Sequence, residues 1–279
     1  MAITRAPLTP VRWPAEAIWE AVAPALPGFT VEVLPEVDST NSELMRRARA
    51  GRPDPVLLVA EQQTAGRGRM GRQWHSGAQP TGQRSQALTF SLGLNLAPAD
   101  WSGLSLAVGL SVAQSLHPDI RLKWPNDLWW HDRKLAGILI ETANWGETSA
   151  GRYVVIGVGL NLQTPDVAGL STAPVGLREL LPDVDAAKAL SSIAAPLVQN
   201  VQRFEAYGFA PFQSAFNARD ALAQVPVTLS DGMRGVAQGV DASGALRVAG
   251  AQGVQRINSA EVSVRAQPGP CYYHCEPDA

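Results

Sequence analysis

The sequence predicts an α+β protein: a mixed, largely antiparallel sheet flanked by helices, followed by a small C-terminal β-barrel. Strand-like and helix-like segments follow one another without the strict strand–helix–strand alternation that builds a parallel sheet. From about residue 224 onward, short β-type runs replace helical ones, and turn residues at 230–232 and 241–244 separate them. Hydrophobic residues make up 46% of the 279 residues, which is enough to bury a core in one large and one small domain.

Helices are predicted where a capping residue, or a proline in the first turn, precedes apolar residues at helical spacing. Pro14 indicates a helix over residues 15–20, and Ser39 or Thr40 can cap a helix over residues 41–50. Further predicted helices cover residues 100–116, 186–204 and 211–222.

Strands are predicted where apolar residues alternate with polar ones or form short uninterrupted runs. In the first part of the chain they cover residues 30–37, 55–63, 87–96, 121–124, 128–130, 135–142 and 153–162. In the second part they cover residues 225–229, 235–240, 245–248, 254–258 and 262–264. We therefore place a large domain at residues 1–223, a small β-domain at residues 224–266, and a tail that is predicted to be disordered at residues 267–279.

The overall composition excludes several classes of protein. The formal net charge of −2 gives no global field that attracts nucleic acid, so a local basic cluster favours a small anionic ligand. No run of about 18 apolar residues is present, and the first residues lack the apolar core of a signal peptide. The two cysteines, Cys271 and Cys275, lie close to the C-terminus and form no disulfide framework. We expect a cytoplasmic protein without a membrane span.

The most informative segment is residues 66–72, in which three glycines and three arginines share seven consecutive positions. Glycine allows the backbone to approach a ligand closely, and arginine supplies a planar cation that matches phosphate or carboxylate oxygens. No Asp or Glu occurs between Glu61 and Asp100, so we expect no local carboxylate to neutralise these arginines. The segment is typical of a loop that holds a polyanion, and a loop that arginines merely keep solvated is the alternative.

Two common phosphate-binding patterns do not fit this loop. The dinucleotide fingerprint needs a helix directly after its glycines and an acidic residue about 20 positions further along. Here residues 73–77 lead into a run that contains Gln, Gly and Pro, and no acid lies at the required distance. The P-loop pattern needs Lys and then Ser or Thr after its last glycine, whereas Arg72 and Gln73 follow Gly71. The sequence therefore predicts an anion-binding loop of another kind.

Two further motifs place polar groups beside predicted strands. Residues 123–127, Lys-Trp-Pro-Asn-Asp, form a turn, and Lys134 at the start of an apolar strand can reach into a pocket. A hairpin with a charged tip is the alternative for this region. Gly157, Gly159 and Asn161 share one face of a strand, so a flat ligand could rest on the bare backbone there. A bulge beside a crowded core is the alternative for these glycines.

Taken together, and in their order along the chain, these motifs resemble those of biotin–protein ligase. The matching segments are residues 38–41, residues 66–72 with Trp74, residues 123–127, residues 134–139 and residues 157–161. The C-terminal β-segment, up to residues 260–263, is similar to the small SH3-like domain of that family. The resemblance implies a catalytic domain of the class II synthetase and biotinyl-lipoyl ligase type, with a motif core at residues 38–162.

The resemblance implies a two-step reaction with biotin and ATP as substrates. Biotin is activated to biotinyl-5′-AMP with release of pyrophosphate, and is then transferred to a lysine of the biotin carboxyl carrier protein of acetyl-CoA carboxylase. Mg²⁺ is expected because ATP normally arrives chelated. Because only 37 residues precede Asp38, we expect the monofunctional type without an N-terminal DNA-binding domain and without DNA binding. The family includes monomers and homodimers, and the sequence does not decide between them.

The resemblance also assigns roles to single residues. Arg67 and Lys134 are the predicted catalytic residues, which face the biotin carboxylate and the α-phosphate of ATP. The predicted biotin-binding residues are Ser39, Thr40, Gln63, Gly66, Arg67, Trp74, Lys134, Gly137, Leu139, Gly157 and Gly159. The predicted ATP- and phosphate-binding residues are Arg67, Arg69, Arg72, Asn126, Asp127, Lys134 and Asn161, with Mg²⁺ placed near Asn126 and Asp127.

Two other functions remain open from the sequence. A lipoate–protein ligase or octanoyl transferase has a distantly related catalytic domain, although the arginine–glycine loop together with residues 123–127 favours biotin. A biotin-binding module that has lost catalysis is the non-enzymatic alternative, and the presence of Arg67 and Lys134 argues against it. The segment 271–275 reads Cys-Tyr-Tyr-His-Cys, whose spacing fits no common zinc pattern, so no metal site is predicted there.

Overall fold

The computed structural model describes residues 11–75, 85–143, 151–167, 169–170, 172–258 and 264–266. The helices are α1 (Ala15–Val22), α2 (Thr40–Arg49), α3 (Leu104–Leu116), α4 (Ala186–Tyr207) and α5 (Gln213–Asn217). The strands are β1 (Thr30–Val37), β2 (Val56–Gln63), β3 (Ala87–Leu96), β4 (Arg121–Lys123), β5 (Asp127–Trp130), β6 (Arg133–Ala143), β7 (Arg152–Asn161), β8 (Pro226–Leu229), β9 (Arg234–Val240), β10 (Leu246–Gly250), β11 (Gly253–Ile257) and β12 (Val264–Ala266). The predicted tail at residues 267–279, with its two cysteines, lies outside the described residues.

The strands form two separate sheets. Seven strands pair in the order β1-β2-β3-β7-β6-β5-β4, and the five C-terminal strands pair in the order β11-β10-β9-β8-β12. Strands β1 and β2 run parallel, whereas the other neighbouring strands of both sheets run antiparallel. The predicted fold class is confirmed: a mixed, largely antiparallel sheet with helices, and a small β-domain after it. The boundary at residues 223 and 224 stays a prediction.

The helices cover the two faces of the large sheet unequally. Helices α3 and α4 pack against each other and against one face, and α1 packs on α4. On the other face, α2 packs over β2, β3, β6 and β7, where Leu44, Leu58 and Val155 belong to a smaller apolar core. Because side chains alternate along a strand, Gly157 and Gly159 lie on the same face as Val155. This part of the face, beside the N-terminal end of α2, forms the floor of the cleft described below.

Helix α3 begins at Leu104, later than the predicted residue 100. The Asp100 carboxylate accepts a hydrogen bond from the backbone N–H of Ser102 at 2.8 Å, which closes a turn before the helix. Gly103 then adopts a φ of 83°, and a Cβ at this position would lie 2.6 Å from the ring of Phe209. Both the left-handed conformation and the close packing therefore require glycine at the start of the helix.

The predicted helix over residues 211–222 is wrong in its second half. A 3₁₀ turn at Ala210–Phe212 leads into α5, which ends at Asn217. The chain then pairs beside β4: the Leu122 N–H donates to the Arg219 carbonyl at 2.8 Å, and the Ala221 N–H donates to the Leu122 carbonyl at 2.9 Å. These backbone hydrogen bonds to β4, with Asp220 in an isolated bridge to Leu122 and turns on either side of it, outweigh the local helical preference of the segment.

The second sheet contacts the large sheet at the turn of residues 123–127. The indole N–H of Trp124, which is fully buried, donates to the Gly244 carbonyl at 3.1 Å. The amide of Asn217 bonds both backbone groups of Val240, with its oxygen at 2.8 Å and its nitrogen at 3.1 Å. Val264 of β12 lines the cleft of the large sheet. The C-terminal strands thus support the turn that sequence analysis placed at the phosphate end of the site.

Asp220, beside β4, is a buried carboxyl group whose titration affects stability. Its side chain accepts a hydrogen bond from the Leu222 N–H at 2.9 Å, and its Oδ2 has no hydrogen-bond partner within the described residues. Burial raises the pKa of Asp220 to about 6. The folded state therefore binds this proton more tightly than the unfolded chain, whose Asp pKa is about 3.9.

We expect this shift to make the protein less stable as the pH rises. The stabilisation is present in full below about pH 4 and is lost as the pH rises through the folded-state pKa of about 6. Urea unfolding of the parent should lose about 1 kcal/mol more between pH 5 and pH 8 than unfolding of the Asp220→Asn variant. Equal pH dependence of the two proteins would show that Asp220 does not carry the effect.

Candidate functional site

A cleft of about 240 Å³ lies on the sheet face that carries Gly157 and Gly159. Strands β6 and β7 form its floor, and the start of α2, the loop of residues 66–72 and the turn of residues 123–127 surround it. Its lining includes the predicted site residues Ser39, Thr40, Gln63, Arg67, Arg69, Arg72, Trp74, Asn126, Asp127, Lys134, Gly137, Leu139, Gly157, Gly159 and Asn161. Gly66 lines an adjoining cavity of about 650 Å³, which shares Gln63 and Trp74 with the cleft.

The arginine–glycine loop folds back on itself above the cleft. The Gly68 N–H donates to the Arg72 carbonyl at 2.7 Å, and the Trp74 N–H donates to the Gly66 carbonyl at 2.9 Å. A Cβ on Gly66 would lie 2.5 Å from the Trp74 carbonyl oxygen. The backbone at residue 66 can therefore lie this close to Trp74 only because residue 66 is glycine. Met70, with a φ of 57°, forms the exposed tip. This arrangement aims the arginines of the loop at the cleft from one side.

The glycines of β7 are required by two side chains that pack on them. A Cβ on Gly157 would lie 2.1 Å from Oδ1 of Asn41, and a Cβ on Gly159 would lie 2.4 Å from the indole of Trp74. The indole also lies over Gly137 of β6, where a Cβ would come within 3.5 Å of the ring. The Asn41 amide and the Trp74 indole therefore occupy much of the bare strip on which sequence analysis placed a flat ligand.

One end of the cleft is a network of neutral polar groups at the start of α2. Ser39 caps the helix, and the Thr40 N–H donates to Oε1 of Gln63 at 2.8 Å. The Thr40 hydroxyl lies 3.2 Å from the same oxygen, and the Ser91 hydroxyl lies 2.7 Å from both the Thr40 hydroxyl and Oδ1 of Asn41. Ser39, Thr40, Asn41 and Ser91 are all buried. This end presents fixed hydroxyl and amide groups that suit a neutral polar ligand group.

The other end carries Lys134, which is held by its backbone and its ammonium group. The Lys134 N–H donates to the Ala173 carbonyl at 2.8 Å, and the Lys134 carbonyl accepts from Val175 at 2.9 Å and from the amide of Asn161 at 3.3 Å. Its Nζ lies 2.7 Å from a carboxylate oxygen of Asp127. The ammonium group is thus fixed next to the turn of residues 123–127, as a preorganised cation in the cleft.

The arginines of the loop have partners that the local sequence does not reveal. Arg67 forms an ion pair with Glu141, with Nη2 2.9 Å from Oε1, so a carboxylate that is distant in sequence neutralises it where no local one is present. The expectation that no local carboxylate neutralises the arginines considered only residues close in sequence, whereas β6 brings Glu141 to the loop. Arg69 donates to Oδ1 of Asn126 at 3.4 Å, and burial lowers the pKa of its guanidinium. Arg72 is exposed.

Sequence reasoning missed several residues of the cleft. Lys123, His75 and the apolar residues of the segment at 165–174, which are Pro165, Val167, Leu170 and Pro174, also line it. The segment reaches the cleft because its backbone pairs with Lys134, a long-range contact that no local pattern indicates. Asn41 belonged to a motif but was given no role, Glu141 lies just beyond the segment 134–139, and the buried Ser91 on β3 belonged to no motif.

The residues near Asn126 do not form a metal cage by themselves. Within the part of the chain that the structure describes, no group of three or more His, Cys, Asp and Glu side chains could hold a metal ion. Asp127 contributes one carboxylate, which Lys134 already contacts. Mg²⁺ is commonly bound by one or two carboxylates together with substrate phosphates, so a ligand would have to complete this donor set. No helix among the described residues is long and apolar enough to cross a bilayer.

Comparisons with known proteins give concordant matches over both sheets. The Biotin/lipoate A/B protein ligase family matches residues 33–161, and the Biotin protein ligase C terminal domain matches residues 224–265. The chain is 36% identical over 230 residues to the bifunctional ligase/repressor BirA of Escherichia coli (strain K12), covering 79% of this chain and 70% of that protein. It is 34% identical over 242 residues to the biotin--[acetyl-CoA-carboxylase] ligase of Paracoccus denitrificans, covering 82% and 98% of the two chains.

A solved structure agrees with these sequence matches. The biotin protein ligase from Aquifex aeolicus, in complex with biotin and ATP, superposes with a TM-score of 0.70 at 27% identity. The similarity covers 85% of this chain and 99% of that one.

Proposed function

Since the chain belongs to the Biotin/lipoate A/B protein ligase family, we propose that it is an ATP-dependent biotin–protein ligase. It activates biotin to biotinyl-5′-AMP and transfers the biotinyl group to a lysine of the biotin carboxyl carrier protein of acetyl-CoA carboxylase. One observation carries the proposal beyond family membership. A single cleft joins a neutral polar end at Thr40 and Gln63 to a cationic end at Arg69 and Lys134, over an apolar floor, and Arg67 also lines it.

The chemistry explains why the cleft needs preorganised cations. In the first step, a biotin carboxylate oxygen attacks the α-phosphorus of ATP, and pyrophosphate leaves. Both reactants are anions, so the reaction requires positive groups where they meet. In the second step, the amine of the acceptor lysine attacks the acyl carbon, AMP leaves, and the amine loses a proton as the amide forms. Lys134 and Arg67 are the groups that we assign to charge stabilisation in the first step.

We assign the remaining residues by the chemistry that each end of the cleft offers. Ser39, Thr40 and Gln63 hydrogen-bond the ureido group of biotin, and the apolar floor contacts its fused rings. Trp74 and Leu139 form the surface of this floor, and Gly137, Gly157 and Gly159 lie beneath it, where they let the Trp74 indole and the Asn41 amide pack closely. Arg69 and Arg72 hold phosphate oxygens, and Asn161 lies near the nucleotide. Mg²⁺ enters as part of the Mg·ATP substrate, with Asp127 and Asn126 beside the phosphates.

The proposed function is tested by following both half-reactions. The purified protein is incubated with Mg²⁺, ATP, biotin and a biotin carboxyl carrier domain, and the mass of the carrier is measured. We expect one biotinyl group to be added to the carrier, and we expect pyrophosphate release to depend on biotin. Lipoate in place of biotin is the matched control, because the family also includes lipoate ligases. Modification with lipoate alone would reject the proposal in favour of that alternative.

We infer further that this chain acts in the cytoplasm, where ATP is available. Among the described residues, α1 and β1 precede Asp38, and β1 pairs with β2 of the large sheet. We propose no DNA binding for these described residues, and a specific, salt-resistant gel shift with operator DNA would overturn that proposal.

A further inference from the structure

Glu141, which is not one of the predicted site residues, contacts a predicted catalytic arginine. It lies on β6, two positions beyond Leu139 and on the same face of the strand. Its Oε1 accepts a hydrogen bond from Nη2 of Arg67 at 2.9 Å, and its Oε2 accepts one from Nη1 at 3.4 Å. Two parallel bonds between a guanidinium and a carboxylate fix the orientation of the guanidinium plane as well as its position.

A buried amide holds the Glu141 carboxylate in turn. Nδ2 of Asn41 donates to Oε2 of Glu141 at 3.0 Å and lies 3.3 Å from the Leu139 carbonyl, and its Oδ1 accepts from the Ser91 hydroxyl at 2.7 Å. Asn41 is only 3% exposed, and its side chain fills the space above Gly157. Through Glu141 and Asn41, the guanidinium of Arg67 is therefore connected to strands β3, β6 and β7.

Arg67 needs such support because it extends from a glycine-flanked loop. Its side chain is 48% exposed, and a long exposed side chain without a fixed partner samples many rotamers. A guanidinium has five N–H donors, and three of its bonds go to Glu141 and the Ser42 hydroxyl. Donors therefore remain for a second anion while the first partner stays bound.

We propose that Glu141 is a positioning residue that holds the guanidinium of Arg67, through its contact with Asn41, in the orientation that adenylate formation requires. This inference rests on the proposed function of the cleft. The negative charge of Glu141 opposes binding of the anionic substrates to Arg67, so its benefit lies in the geometry of the transition state. Removing the charge should lower kcat without raising the KM for biotin.

The test compares biotin-dependent pyrophosphate release by the parent, by Glu141→Gln, by Arg67→Met and by the double variant. Glu141→Gln keeps the side-chain length and an oxygen for Asn41 but removes the carboxylate that pairs with Arg67. We expect a ~10- to 100-fold loss of kcat in Glu141→Gln, because misplacing a reacting group by about 1 Å has effects of this size. In the Arg67→Met background, the same change should have little further effect, because Glu141 acts through Arg67.

Glu32→Gln is the matched control, since Glu32 forms a similar ion pair with Arg47 at 2.8 Å and does not line the cleft. Its kcat should equal that of the parent. An unchanged kcat in Glu141→Gln, a rise in the KM for biotin as the main effect, or an equal loss in the Arg67→Met background would each overturn the inference. If Glu141→Gln fails to fold, Glu141→Asp keeps the charge and withdraws it by one methylene, and the same dependence on Arg67 is required of it. A parent that releases no pyrophosphate with biotin would reject the proposed function instead.

Discussion

Replacing Lys134 with methionine is expected to slow biotin-dependent pyrophosphate release by about 10²- to 10³-fold, the effect typical of removing one preorganised group that stabilises developing charge. Methionine retains an unbranched apolar side chain, and the backbone bonds of residue 134 to Ala173 and Val175 do not involve the side chain. The loss should therefore come from the missing ammonium group and not from a displaced strand. Single-turnover measurement of biotinyl-adenylate formation isolates this step from transfer to the carrier.

Two variants make this prediction specific. Lys188→Met removes an exposed ammonium group on α4, outside the cleft, and its rate should match that of the parent. Lys134→Arg keeps a positive charge but changes its shape, so it should retain more activity than Lys134→Met. If Lys134→Met formed the adenylate as fast as the parent, the role of Lys134 in charge stabilisation would be wrong.

The second large effect is expected on stability, from the change Gly157→Ala. The new methyl group would lie 2.1 Å from Oδ1 of Asn41, a buried side chain that Ser91 and Glu141 hold in place. Either the strand shifts, or Asn41 moves and loses its buried hydrogen bonds. We expect a loss of about 3 kcal/mol in the free energy of unfolding, since overpacking and a broken buried hydrogen bond each cost about 1–3 kcal/mol. Urea unfolding monitored by tryptophan fluorescence measures the loss.

A double variant shows whether the clash with Asn41 is the cause. Asn41→Ala removes the amide that the methyl group would strike, so the cost of Gly157→Ala should be much smaller in that background. Strict addition of the two single costs, or a Gly157→Ala protein that is as stable as the parent, would contradict the packing that the structure shows. The comparison also tests why β7 contains glycine where a strand normally disfavours it.

The fold was largely predictable because local patterns of apolar residues and capping residues indicate most of its helices and strands. The apolar run of residues 153–162 and the cap at Ser39 correspond to β7 and α2. Failures occur where distant contacts decide the local conformation. Residues 218–222 follow a helical pattern, but backbone hydrogen bonds to Leu122 replace the helix there with turns around one bridge residue, Asp220. The start of α3 depends on Gly103, whose conformation and contact with Phe209 no periodicity could indicate.

The candidate site was also predicted only in part, because contacts between residues that are distant in sequence complete it. The order of the motifs indicated the residues that line one cleft, including Lys134, Arg69 and Trp74. The partners of those residues were not predicted, because they come from other strands. Glu141 lies on β6, far in sequence from the Arg67 that it contacts, and Asn41 fills the space over Gly157 where the sequence predicted a ligand. The spacing of residues along the chain identifies the functional groups. Which of these groups form ion pairs with other residues depends on how the sheet brings distant strands together.

The bond between Trp124 and the Gly244 carbonyl bears on how this enzyme can be recombined with its relatives. Exchanging the last β-strands for those of another ligase would place a foreign turn against the buried indole. The tolerance of such a chimera then depends on whether the incoming turn offers a carbonyl at the same place, and less on overall sequence identity. Directed evolution that shuffles the two halves should therefore recover active hybrids whose crossover points keep Trp124 and the 241–244 turn from one parent.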